Sequence, residues 1–168
     1  RMNLLFYTRS DAFTRNGGVF IQLQKTKNYL EKIGYTIDIS TKVDDDLSKY
    51  DFVHIFNIQT SIHGIQQVEN AKKYNKKIFL STIYWSTKDL SNNNIFLATL
   101  KNLAYQIDPN FFIKFSFLYN LPLTSGLETY HKALMMLEKS DVLLPNSIAE
   151  LENIISDYKI QNIRSKSF

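Results

Sequence analysis

Three short segments hold the residues best suited to chemistry, and each follows an apolar run that reads as a strand. The first is residues 9–18 (RSDAFTRNGG), which offers Arg9 and Asp11 and ends on Asn16, Gly17 and Gly18, where a helical pattern begins. A helix N-terminus presents unpaired amides and the positive end of the helix dipole. Glycine lets a ligand approach the backbone, so a phosphate or diphosphate would be held there. The competing account is a plain turn made by the two glycines, with Asn16 near the cap. The second segment is Asn57, Gln59 and Thr60, and the third is Tyr84, Trp85, Ser86 and Thr87. Amides, hydroxyls and flat aromatic faces suit a sugar or polyol, and the same residue types also cap ordinary loops.

Spacing narrows the ligand further. Neither G-x-G-x-x-G nor G-x-x-x-x-G-K-[ST] occurs in the chain, so ordinary dinucleotide and P-loop ATP sites are not expected. Asp38 stands about where a ribose-binding acid would, but inside a strand rather than at its end, which gives it a structural role. His54 falls in mid-strand as a packing residue, and His63 and His131 lie on separate helical segments, so no metal site is expected. The run Asp44, Asp45, Asp46 has no apolar strand leading directly into it. It reads as a solvated loop rather than a metal-binding acidic motif.

The elements that position these segments alternate. Residues 2–8 (MNLLFYT), 35–41 (YTIDIST), 52–57 (FVHIFN) and 77–84 (KIFLSTIY) read as strands. A helix with Val19, Leu23, Leu30 and Ile33 on one face is stopped by Gly34, and a second spans about 62–74. Alternation of this kind predicts an α/β, Rossmann-like parallel sheet with helices on both faces. In such a sheet ligands sit beyond the carboxyl ends of the strands, where all three segments fall. The rhythm breaks over about 86–125, read as an insertion with Phe96, Leu100, Leu103 and Ile107 at helical spacing before Asp108-Pro109. It resumes with Ser125 and Glu128 in capping-box spacing, a helix with Leu127, Tyr130, Leu134 and Leu137 on one face, and a strand at 142–145. Ser147 and Glu150 then repeat the capping box before a last helix to about Tyr158.

The 168 residues, 44% hydrophobic and 21% charged, suit one domain over 1–168. Without cysteine there is no disulfide framework, thiolate nucleophile or cysteine zinc site. No apolar run is long enough to span a bilayer and no secretory leader is evident, so the expected compartment is the cytoplasm. The balance of 20 Lys+Arg against 16 Asp+Glu is scattered rather than gathered on one helix, which argues against a nucleic-acid partner.

In order and spacing, several of these segments resemble a known family. They are the opening strand, the Asn16-Gly17-Gly18-Val19 junction with its helix ending at Ile33-Gly34-Tyr35-Thr36, and residues 50–57 (YDFVHIFN). Residues 78–85 and 140–147 (SDVLLPNS) complete the set. The chain looks like the N-terminal, acceptor-side half of a GT-B glycosyltransferase of the large retaining class called family 4, and the likeness runs over nearly its whole length. The resemblance implies that the loop of Asn16, Gly17 and Gly18 faces the donor diphosphate or the acceptor. It implies too that Arg9 and Asp11 line the acceptor side, and that Asn57, Tyr84, Trp85 and Ser86 form a rim near the sugar.

The resemblance further implies transfer of a hexose-type unit from a nucleotide-sugar donor to a glycan or lipid-linked acceptor, with retention, without a metal or other cofactor. Tyr84 and Phe56 stand where many relatives carry histidines. The family's C-terminal half, which grips the diphosphate, is not represented in this sequence. The chain is then either an excised half or a short relative that borrows its partner half, and little transferase activity is expected from it alone. The alternative is a non-catalytic Rossmann-like or flavodoxin-like binding or regulatory domain. A receiver domain would cluster acids at the end of the first strand, where Asp11 stands nearly alone, whereas flavin binding stays open. Residues 111–123 (FFIKFSFLYNLPL) read as buried core, as an interface with the missing half or a second chain, or as a peripheral contact with an anionic membrane surface.

Overall fold

Five short strands pair in parallel in the order β2-β1-β3-β4-β5: Asn3–Tyr7 (β1), Thr36–Ser40 (β2), Phe52–Phe56 (β3), Lys77–Ser81 (β4) and Val142–Leu144 (β5). This computed structural model describes residues 2–13, 17–86, 124–160 and 162–167. Asn16, Thr87 and residues 88–123, with the expected helix around Phe96 and the apolar stretch 111–123, lie outside the described residues. The register sets Leu4 between Ile37 and Phe52, so β1 is central and buried on both faces. Near-continuous apolar runs such as NLLFY and FVHIF are what a parallel strand covered on both sides requires.

The helices divide between the two faces. Gly18–Lys32 (α1) covers one, where Leu23 packs among Leu4, Phe6, Ile37 and Phe56. Ser61–Lys73 (α2), Thr124–Lys139 (α3) and Ile148–Tyr158 (α4) cover the other, over Leu5, Tyr7, Val53, Ile55, Ile78, Leu80 and Leu143. The arrangement is α/β and Rossmann-like. α2 and α3 approach closely because Gly64 carries no side chain: a Cβ there would lie 2.6 Å from the Met136 Cε. Among the described residues no helix is long and apolar enough to cross a membrane.

Local signals explain the boundaries. Gly34 adopts φ +103, and bonds from Gly34 N to Glu31 O (3.1 Å) and Tyr35 N to Leu30 O (3.1 Å) close α1 in a Schellman motif. Ile33, expected on the buried face, is instead 56% exposed, because α1 has already ended at Lys32. Ser147 accepts from the Glu150 amide (3.1 Å) and caps α4. Ser125, by contrast, stands inside α3 and is not its N-cap.

Between β2 and β3 the chain recrosses β1 without a helix. Residues 41–51 still seal the sheet, since Leu47 and Tyr50 are buried against Leu5 and Tyr7. The acidic run is tied down: Asp45 accepts from the Ser40 hydroxyl (2.6 Å), and Asp46 accepts from the Ser48 amide (2.9 Å) and hydroxyl (2.6 Å). Asp38 has the structural role expected of it, accepting from the Tyr50 hydroxyl (2.7 Å) and Lys49 Nζ (3.0 Å). The Tyr50 hydroxyl, and then Lys49, hold its carboxyl below the usual carboxylate range.

Candidate functional site

The strand order reverses at β1, with β2 on one side and β3 on the other. The helix after β1 leaves on one face and the helix after β3 on the opposite face, which opens a crevice between them at the carboxyl ends. Two adjoining clefts occupy that place and share Arg9. One, of about 190 Å³, is lined by Arg9, Gly17, Gly18, Asn57, Ile83 and Trp85, among others. The other, of about 280 Å³, is lined by Arg9, Asp11, Gln59, Thr60, His63 and Thr129, among others.

The first cleft has an open helix end as one wall. Gly17 is the N-cap of α1 with φ −83 and ψ 179, an extended conformation any residue adopts, and no side chain among the described residues caps the helix there. A Cβ on Gly18 would meet nothing within 4 Å. Neither residue has a left-handed backbone, and at Gly18 no packing against the described residues calls for glycine. The pair leaves bare backbone beside the cleft. The first turn of α1 also carries no acidic residue, so the dipole there is not neutralised from within the helix.

Asn57 supplies the floor. It is buried with φ +78, a left-handed conformation that asparagine tolerates better than most residues, and its Oδ1 accepts from the Gln59 amide (2.8 Å). Arg9 leaves the end of β1 with its Nε 2.7 Å from Asp11 Oδ1. The contact has ion-pair distance but not hydrogen-bond geometry, so among the described residues the buried Nε–H has no acceptor in hydrogen-bond geometry. Trp85, the single tryptophan, stands 56% exposed on the rim, and its carbonyl accepts from Gln59 Nε2 (3.2 Å). No family model matches the chain, and no curated protein matches its sequence.

Two expected rim residues are not brought to either cleft. The Tyr84 ring lies on the opposite face of the sheet, against Tyr158, and its hydroxyl donates to Asp157 Oδ2 (2.6 Å). Burial, more than these neighbours, pushes its phenol far above the usual range. Ser86 bonds to the same phenol. The cause is register. Leu80 and Tyr84 face the three-helix side while Ile83 packs on the α1 side, so alternation carries Tyr84 away from the cleft that Trp85 lines.

The strand itself stops earlier than its alternation suggests. The β3–β4 ladder runs on through Asn57 N to Ser81 O (2.8 Å) and Ile58 N to Thr82 O (3.0 Å), and then Ile83 takes φ +43. A β-branched residue in that region is strained by roughly 1–3 kcal/mol and persists only where its surroundings hold it. What holds it is Glu150, a buried carboxylate in the first turn of α4. Glu150 Oε1 accepts from the Thr82 hydroxyl and the Tyr84 amide (2.9 Å), and Oε2 from the Asn146 amide (3.1 Å) and Nδ2 (3.0 Å). The S-x-x-E spacing signals the cap at Ser147 but gives no sign of this reach.

Beneath the cleft, His54 is a packing residue, as its mid-strand position suggests. Its ring stacks on Phe56 at 4.1 Å and meets Phe6 edge-on at 5.0 Å, and Nε2 lies 2.8 Å from the Ser81 hydroxyl. Burial pulls its pKa down to about 3, so it stays neutral at physiological pH. His63 bonds through Nε2 to the Thr41 carbonyl (2.8 Å) on the wall of the second cleft. That cleft takes Gln59 and Thr60 from the segment expected after β3, whereas its use of His63 and Thr129 is visible only once α2 and α3 are folded together.

Proposed function

We propose that the chain is the acceptor-side half of a GT-B glycosyltransferase of the retaining family 4 type. It transfers a hexose-type unit from a nucleotide-sugar to a glycan or lipid-linked acceptor, without a metal. The observation that carries this reading is the convergence of Arg9, the uncapped start of α1 at Gly17 and Gly18, Asn57 and Trp85 on one cleft at the β1/β3 reversal. Amides and guanidinium suit an oxyanion of the departing diphosphate, and the indole face suits a pyranose. Catalysis of this kind rests on alignment and on stabilising the leaving group, so this half need supply no nucleophile. The second cleft, with Asp11, then takes the acceptor. The enzyme works in the cytoplasm, and a lipid-linked acceptor brings it to the inner face of the membrane.

A second reading has one observation in its favour. The order β2-β1-β3-β4-β5 is also that of flavodoxin-like domains, which hold a flavin mononucleotide at the same reversal. A yellow colour on purification, or saturation by the flavin, would mark it.

The transferase reading predicts little or no turnover of a nucleotide-sugar panel by the 168-residue chain alone, because the diphosphate-gripping half is not among these residues. Turnover is expected when that second half is present. Comparable turnover with and without it would overturn the division of labour proposed here.

A further inference from the structure

We infer that Glu150 is a positioning residue for the cleft, holding the segment after β4 in the one conformation that sets Trp85 on its rim. The inference rests on the cleft being the ligand site, and not on which nucleotide or sugar it takes. Glu150 lies far along the chain from the residues it holds, and its Oε1 accepts from both neighbours of Ile83, through the Thr82 hydroxyl and the Tyr84 amide. Those two bonds fix the backbone on either side of the left-handed turn at Ile83, one residue before Tyr84 and two before Trp85. The same carboxylate is fixed in turn. Its Oε2 is held by the Asn146 amide and side chain, and Asn146 Oδ1 accepts from Gln22 Nε2 of α1 (2.9 Å).

The network therefore runs from α1, whose first residues form one cleft wall, through the end of β5 and the start of α4 to the segment carrying Trp85 and Ile83, which form the facing wall. A carboxylate suits the task because every group it meets is a donor: a hydroxyl, two amides and a carboxamide NH2. A glutamine would turn its own NH2 toward one of those donors and leave it unmatched.

A merely structural clamp would alter melting alone, so the test reads Trp85. As the single tryptophan it reports its own mobility without interference. Glu150→Gln and Thr82→Val are made, with Thr82→Ser as the conservative partner that keeps the hydroxyl. In folded Glu150→Gln and Thr82→Val, Trp85 anisotropy is expected to fall and its quenching by iodide to rise about twofold. Affinity of the cleft for UDP, GDP and ADP, followed by Trp85 emission, is expected to fall about tenfold. Thr82→Ser is expected to restore all three readings. Unchanged anisotropy and quenching in folded Thr82→Val would overturn the inference even if Glu150→Gln fails to fold. If none of the three nucleotides binds the wild-type chain, the transferase reading suffers, while anisotropy and quenching in the unliganded chain still decide the role of Glu150.

Discussion

Gly18→Val is expected to weaken nucleoside-diphosphate binding at the cleft by about a hundredfold, while the melting temperature stays within about 2 °C of wild type. The two readings separate because a Cβ there meets nothing among the described residues, and Gly18 is not among those with positive φ. In helix propensity valine is more favourable than the glycine it replaces, by roughly a few tenths of a kcal/mol, so propensity does not lower stability. A branched side chain on the open wall would instead hold a phosphate off the amides of the first turn. Loss of two charge-assisted bonds at roughly 1.5 kcal/mol each accounts for the factor. Titration of Trp85 emission against calorimetric melting checks it. Wild-type affinity in the folded variant would remove the phosphate from this wall.

The second large effect is acid sensitivity centred on His54. In the unfolded chain this residue binds a proton below about 6.5, whereas in the folded protein burial depresses its pKa to about 3. Between those values the unfolded state holds more protons, so stability must fall as pH falls from about 6.5 toward about 3. The limiting slope is about 1.4 kcal/mol per pH unit, or about 3 kcal/mol between pH 6.5 and 4. Asp38 also has a depressed pKa, but its own side chain and that of Lys49 are exposed and it acts only within the carboxylate range. His54→Gln, which can still bond the Ser81 hydroxyl, is expected to flatten the dependence of the urea midpoint over that window. An equally steep profile in the variant would place the acid sensitivity elsewhere.

Much of the frame was legible in the residues because local rules set it. The runs NLLFY and FVHIF read as strands of a parallel sheet, Gly34 ends α1 by a left-handed turn, and Ser147 caps α4. The crevice was legible too, since Arg9, Gly17, Gly18 and Asn57 all follow strands that end on the same edge. What was not legible depends on long-range pairing or on a break in the local pattern. Alternation continues through Tyr84 although the ladder ends at Ile83, so a strand read by period alone runs too far. Its place just after the strand put Tyr84 on the rim, whereas its even register sends the ring to the other face of the sheet and to Asp157. The reach of Glu150 to Thr82 needs β4 and β5 side by side, and no sequence spacing carries that information.

The most direct measurement of the central claim is a nuclear magnetic resonance titration of the isotope-labelled chain with a panel of nucleotide-sugars, the matching nucleoside diphosphates and flavin mononucleotide. The account predicts saturable shifts from at least one nucleotide-sugar at the amides of Gly17, Gly18 and Val19, at Asn57 and at the Trp85 indole. No shifts are expected at residues 72–77, which lie at the opposite edge of the sheet. Shifts confined to other surfaces, or saturation of the cleft by flavin mononucleotide and by no nucleotide-sugar, would contradict it.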